Sequence, residues 1–383
     1  MNKKISLGSA LIFTAFTVLL TFMLTFVYMN NTYVKILADT ELNARITHKL
    51  SEIDREARRL FIGEIDNQAL LDSIADGYVR GLGDKYAEYM SAERYLEYIR
   101  TMQGRMVGIG VEVMFDDSVR GGVIEIMHVN ADSPAESGGM LTGDYIYKVD
   151  GELVSALGYA ESVDRVKGEA GTDVTLTLLR GENYQEIELT FTRAEVWVQT
   201  VRYELKQGGI GYIKIREFNQ ETPNEFKEAL DRLEESGAES FIFDLRNNPG
   251  GDLSGITQTL DYLLPEGPII RIFYRSAREE VHHSDENEIV APMVVLMNES
   301  TASAAELFCA ALKDYEKATL VGVTTFGKGT VQTINRLSDN SALKISSARY
   351  APPFSDNYDG IGVVPHIEVN GGIISVTTRR KRI

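Results

Sequence analysis

The 383-residue chain carries 39 Lys and Arg against 56 Asp and Glu, a formal net charge of −17. With 44% hydrophobic and 25% charged residues it has the composition of a folded protein, and its length predicts two or three domains. The acidity argues against a nucleic-acid partner, which needs a basic face, and the single cysteine, Cys309, excludes an internal disulfide.

At the N-terminus Lys3 and Lys4 precede a charge-free apolar run over residues 5–29. That is long enough for the ~20 residues that span a bilayer. A cleaved secretory signal has a shorter apolar core and a small-x-small site after it, whereas this run ends in the bulky Phe26-Val-Tyr-Met-Asn30. Residues 1–30 therefore read as an uncleaved transmembrane signal anchor. The expected location is a single-pass protein of the cell membrane, with Lys3 and Lys4 cytoplasmic and the remainder extracytoplasmic. Residues 31–100 read as a helical region. Ile36, Leu37, Leu42, Ile46, Leu50, Ile53 and Leu60 recur at helical spacing. This stripe calls for a partner, either the body of the protein or a second copy in a homodimer. Residues 67–100 keep a helical pattern, broken at Gly81-Leu-Gly-Asp84, and their tyrosines read as packing surface.

From residue 107 the period shortens. Strands are expected at 107–113, 123–127, 144–151, 173–180 and 186–192, a turn and short helix at 132–139, and another short helix at 160–166. The phrases Gly108-Ile-Gly-Val111, Ser133-Pro-Ala135, Gly143-Asp-Tyr-Ile146, Val149-Asp-Gly151 and Lys167-Gly-Glu-Ala-Gly-Thr172 make residues 101–195 resemble a PDZ domain in its circularly permuted bacterial form. The resemblance implies that backbone N–H groups at Val107, Gly108, Ile109 and Gly110 receive a peptide's C-terminal carboxylate, the peptide adding as a strand.

Residues 196–383 alternate strands and helices. Strands are expected at 210–215, 240–245, 293–298 and 318–323, and helices at 223–236, 253–264 and 302–314. Such alternation predicts an α/β core with parallel strand pairs, whose sites gather at the carboxyl ends of strands. Two turns fall there. One is Arg246-Asn-Asn-Pro-Gly-Gly-Asp252; the other leads through Ser303 into an Ala/Leu-rich helix.

A serine at a helix start and a lysine in the glycine-flanked Phe326-Gly-Lys-Gly329 loop point to a nucleophile–base pair, Ser303 and Lys328. The five histidines, His48, His128, His282, His283 and His366, lie in no phrase that suggests a triad. For Lys328 to act as base, burial must hold it neutral. No carboxylate is near it in sequence. Gln332 follows at an even spacing, so in an extended segment it shares a face with Lys328 and can orient it. Oxyanion donors are expected from the backbone N–H groups of Ala304 and of Gly250 or Gly251. Cys309 reads as a small core residue, and no metal or cofactor is expected.

Taken together, Asp244-Leu-Arg-Asn-Asn-Pro-Gly-Gly251, Ser300-Thr-Ala-Ser-Ala-Ala-Glu306, Gly327-Lys-Gly-Thr-Val-Gln332 and Gly360-Ile-Gly-Val-Val-Pro365 resemble the carboxyl-terminal processing peptidases, the tail-specific S41 serine peptidases. The resemblance covers residues 65–370. It implies a multidomain α/β fold: a crotonase/ClpP-like protease core with an inserted PDZ module. It also implies a serine endopeptidase with Ser303 as nucleophile, Lys328 as base and Gln332 as the lysine's orienter, its protein substrates engaged through their C-termini. The chain departs from the family at Lys167, where an arginine often couples PDZ module and core, and at His366, where aspartate is usual. Two alternatives stand beside this reading: an inactive PDZ scaffold on the same fold, and a different acyl-transfer enzyme on a crotonase-like core.

Overall fold

The computed structural model describes residues 7–370 and 373–376. The chain forms two compact units, Met1–Ser73 and Ile74–Ile383. In the first, helix α1 (Leu7–Leu60) runs unbroken for 54 residues. One helix thus covers residues 7–29 of the apolar run and the expected amphipathic stripe. Phe13, Phe16, Phe22 and Phe26 are exposed on it, as are Leu42, Leu50, Ile53 and Leu60. Among the described residues no helix is long and apolar enough to cross a membrane. The expected anchor at residues 1–30 lies partly outside the described residues.

Helix α2 (Asn67–Arg80) is followed by strand β1 (Glu88–Met90) and helix α3 (Ala92–Met102). The helical pattern over 67–100 is thus interrupted by a strand. Gly83 takes φ 74°, open to glycine at no steric cost. Asp84 then accepts from the Tyr86 N–H at 3.0 Å, an Asx turn that aims the chain into β1. Ser91 caps α3 by accepting from Arg94 N.

The PDZ module contains β2 (Arg105–Gly108), β3 (Val111–Asp116), β4 (Val123–Val129), α4 (Pro134–Ser137), β5 (Tyr145–Val149), β6 (Glu152–Leu153), α5 (Val154–Leu157), α6 (Tyr159–Val166), β7 (Asp173–Arg180), β8 (Gln185–Thr192) and β9 (Ala194–Trp197). Its sheet runs β3-β4-β5-β7-β8 with β6 beside β5, while β2 and β9 form a separate ribbon. The single strand expected at 107–113 is split at Gly110, whose φ of 81° turns the chain between ribbon and sheet. Ile124, Ile126, Ile146, Leu176 and Leu178 fill a core belonging to this module. Asp144, almost fully buried, is held by Arg180 through two charge-assisted bonds at 2.6 and 2.7 Å.

The remaining elements are β10 (Val201–Lys206), β11 (Ile210–Ile215), α7 (Thr222–Glu235), β12 (Ser240–Asp244), α8 (Leu253–Asp261), β13 (Gly267–Tyr274), β14 (Glu279–Ser284), β15 (Met293–Met297), α9 (Ala304–Asp314), β16 (Ala318–Gly322), β17 (Thr330–Arg336), β18 (Ala342–Ala351), β19 (Ile367–Asn370) and β20 (Ile373–Val376). One sheet runs β10-β11-β12-β15-β16-β19-β20 and is parallel from β11 to β19. Its β11, β12 and β15 are the apolar, β-branched runs expected of strands buried on both faces. Phe226, Phe243 and Phe308 stack tilted and edge-on between sheet and helices, with Phe218 against Phe308. Each such ring stabilises the core by about 1.5–3 kcal/mol.

A second, antiparallel sheet runs β1-β18-β13-β14, with β17 on β18. Because β1 precedes the PDZ module and β18 follows it, the module is an insertion into the core. Its outer strand is also clasped to that core. Glu112 of β3 lies 2.5 Å from Arg202 on β10 and 3.2 Å from Arg216 just past β11.

Candidate active site

β12 and β15 pair in parallel, so their carboxyl ends deliver two turns side by side. Asn247 N donates to Asn298 Oδ1 at 2.9 Å and Asn298 Nδ2 to Asn247 Oδ1 at 2.8 Å. The buried Thr301 hydroxyl donates to Leu245 O at 2.9 Å, and Ala302 N to Asn248 O at 2.9 Å. The stitched turns deliver Ser303 at the start of α9 with φ 54° and ψ −117°. A non-glycine residue held there costs about 1–3 kcal/mol. Surrounding packing leaves it no alternative: a Cβ added to Gly250 would meet Ser303 Cβ and Ala302 O at 2.8 Å.

Ser303, Ala304, Gly250, Gly251, Lys328 and Gln332 line one cavity of about 400 Å³. The serine and lysine predicted from separate segments therefore share one site. None of the five histidines lines it. The His366 ring instead accepts from Leu320 N at 2.9 Å, a bond within the fold. Cys309 is buried in α9, where burial pushes its thiol up.

Lys328 is half-buried, and its Nζ lies over the Tyr86 ring, 4.6 Å from the centroid. Burial pulls its ammonium below the usual lysine range, and Lys344 adds like-charge repulsion. Asp84 and Glu306 oppose this with negative charge, and Lys85 adds weakly to the depression. Two carboxylates remote in sequence are thus near the lysine in space.

Glu306 received no role from its place in the sequence, yet it organises the site. It is fully buried. One carboxylate oxygen accepts from Ser303 N and Lys328 N, both at 2.8 Å. The other accepts from Gly327 N at 2.6 Å and the Thr325 hydroxyl at 2.5 Å. One side chain therefore fixes the Ser303 turn to the Lys328 loop. The signal was present: Ser303-Ala-Ala-Glu306 is a capping-box spacing. Above it, the buried Tyr350 hydroxyl lies 3.1 Å from Ser303 O, 2.8 Å from Lys328 O and 2.6 Å from the Tyr358 hydroxyl.

Gln332 reaches the cavity by a different route from the one its spacing implied. β17 begins at Thr330, after Lys328, and its pairing shifts between Val331 and Gln332. The two residues therefore do not share a strand face. The Gln332 amide donates to the Thr330 hydroxyl at 2.9 Å and to Ser346 Oγ at 3.3 Å. Of the expected oxyanion donors, Gly250 N–H is already engaged with Asn248 Oδ1 at 2.8 Å. Gly251 and Ala304 line the cavity. Gly251 takes φ 141°, and a Cβ there would lie 1.9 Å from Phe218 O.

In the PDZ module Gly108, Ile109 and Gly110 line a groove together with Val111, Val163 and Val166. Val107 instead pairs with Glu195 in the β2–β9 ribbon. Lys167, at the end of α6, lines this groove, and so does Arg216 of the core.

Residues 209–369 match Peptidase family S41, and residues 107–191 match the PDZ domain. The chain is 34% identical over 322 residues to the carboxy-terminal processing protease CtpA of Bacillus subtilis, covering 84% of this chain and 68% of that protein. It is 31% identical over 332 residues to the carboxy-terminal-processing protease of Bartonella bacilliformis, covering 84% and 74%. The solved photosystem II D1 C-terminal processing protease aligns with TM-score 0.50 and 27% identity, over 83% of this chain and 86% of that one. This chain, with its α/β core interrupted by a PDZ domain, belongs to the S41 family of carboxy-terminal processing serine peptidases.

Proposed function

We propose that this protein is a membrane-anchored, extracytoplasmic endopeptidase that works through a Ser303–Lys328 dyad. The reading is carried by one observation: Ser303, Lys328, Gly251 and Ala304 line a single cavity, with the two side chains' backbones tied to one buried carboxylate. Neutral Lys328 takes the proton from Ser303 Oγ as it attacks the scissile carbonyl. The N–H groups of Gly251 and Ala304 receive the oxyanion. The lysine ammonium then returns its proton to the leaving amine, giving an acyl-serine. Water, deprotonated by Lys328, cleaves that ester and regenerates Ser303. The Gln332 amide orients the lysine when a substrate chain turns it from Thr330.

The PDZ groove takes the substrate's C-terminal tail, with the carboxylate at Gly108–Gly110 and the chain added beside β3. Lys167 and Arg216 on the groove's wall make it the point where tail capture reaches the core. The charge-free run of residues 5–29 anchors the chain in the cell membrane. The exposed Leu42, Leu50, Ile53 and Leu60 of α1 support pairing with a second copy.

The full-length chain in detergent, incubated with an unstructured protein, should release fragments that the Ser303→Ala variant does not. Equal cleavage by both, or by neither, would sink the reading. Lys328→Arg keeps the charge but cannot give up its proton at neutral pH, so it should be nearly inactive. Substantial remaining activity would exclude lysine as the base. Membrane fractionation and chemical cross-linking of the intact chain test the anchor and the homodimer.

A further inference from the structure

Glu217 places on the cavity wall a carboxylate that serine–lysine chemistry does not use. Its position follows from the segment past β11, which makes a single bridge to Gly251. Phe218 N donates to Gly250 O at 2.8 Å and Asp252 N to Phe218 O at 2.7 Å, laying residue 218 parallel to Gly251. Phe218 is fully buried in the core. Glu217, next to it in the chain, lines the cavity together with Gly250 and Gly251.

The carboxylate is poorly matched there. Its neighbouring cation, Arg216, is engaged with Glu112 of the PDZ module at 3.2 Å. Among the described residues no hydrogen bond supports the Glu217 carboxylate, and burial pushes its carboxyl above the usual range, opposed only by Arg216. An unpaired, half-buried carboxylate is costly. Ionised beside the oxyanion donors, it also opposes the negative charge that develops there. A cation supplied by the ligand relieves both. The rest of the wall fixes where that cation sits. Lys328 and Lys344 line the same cavity, and Lys344 is held by Glu88 at 3.3 Å. Asp252, also on this wall, is engaged as the cap of α8, accepting from Gly255 N at 2.8 Å, so a substrate cation is repelled by Lys344 and drawn to Glu217.

We propose that Glu217 selects peptide substrates that present a lysine or arginine side chain beside the scissile bond, by pairing with it in the cleft. The proposal rests on the peptidase reading above and adds a substrate class to it. The test uses two fluorogenic peptides that differ only in Lys or Ala at one position flanking the cleaved bond, scanned over three positions on each side. For the full-length chain, kcat/KM at the preferred position should favour Lys by roughly tenfold, the scale of one charge-assisted bond. Glu217→Gln should bring the ratio near unity, and Glu217→Lys should turn it toward Asp. A ratio taken within one preparation is insensitive to the fraction folded.

Fluorescence polarisation with Ser303→Ala, alone and with Glu217→Gln, measures the same preference without turnover. If no peptide is cleaved but Lys peptides still bind more tightly through Glu217, the peptidase reading fails and the Glu217 assignment stands. If peptides are cleaved but the Lys-to-Ala ratio is unchanged by Glu217→Gln, the assignment fails and the peptidase reading stands.

Discussion

Replacing Glu306 by glutamine isolates the carboxylate that joins the Ser303 turn to the Lys328 loop. Size and shape are nearly kept, but one oxygen becomes an amide nitrogen, which cannot accept a hydrogen bond. Whichever oxygen is replaced, two donors lose their acceptor: Ser303 N and Lys328 N on one side, or Gly327 N and the Thr325 hydroxyl on the other. Hydrogen bonds to a charged acceptor contribute about 1.5–3 kcal/mol each, so the loss is about 3–6 kcal/mol. Against a total stability of about 5–15 kcal/mol, the melting temperature should fall on the order of 10 °C. Activity should fall further than the folded fraction, because the lost bonds tie together the Ser303 turn and the Lys328 loop that line the cavity. Differential scanning calorimetry of the full chain, with kcat/KM measured well below the transition, reads both effects. A variant that melts within about 2 °C of the parent and cleaves at the same rate would refute the assignment of Glu306 as the link between the two loops.

Three further outcomes follow from the same geometry. Lys344→Gln removes the like charge that helps lower the Lys328 ammonium. Lys328 then holds its proton to higher pH and, with Lys328 as the proposed base, the acidic limb of the kcat/KM profile should move to higher pH; an unmoved limb would refute the coupling between the two lysines. Gly251→Ala places a methyl group against Phe218 O at a φ that alanine avoids. It should destabilise the protein by at least about 2 kcal/mol and abolish turnover, read by melting and peptide cleavage. Arg180→Ala leaves the buried Asp144 without its counter-ion and should destabilise the PDZ module by about 3–5 kcal/mol, seen as earlier exchange of its amide protons.

Much of this arrangement was legible in the chain because the parallel sheet is built locally. β12, β15 and α9 are continuous runs, and the turns between them carry their own signals in Asn247–Gly251 and Ser300–Glu306. The antiparallel sheet was not, since its pairings join distant segments: Glu88 lies opposite Lys344, and Ile334 opposite the same lysine. For that reason Tyr86 and Tyr98, read as packing surface, turn out to contact Lys328 and Lys344. The same distance hid Asp84, whose carboxylate accepts from Ser346 N at 2.8 Å beside Gln332. The Gln332 spacing argument failed for a local reason, a register shift at the start of β17 that no residue type announces.

The left-handed backbone at Ser303 sets activity against robustness. Glycine adopts φ 54° without penalty, so Ser303→Gly should relieve strain at the very position where it removes the proposed nucleophile. The dead protein would then be the sturdier one, offset only by glycine's greater freedom when unfolded. In a lineage released from selection for proteolysis, this serine is therefore among the first residues expected to drift, and glycine is the replacement that the backbone favours.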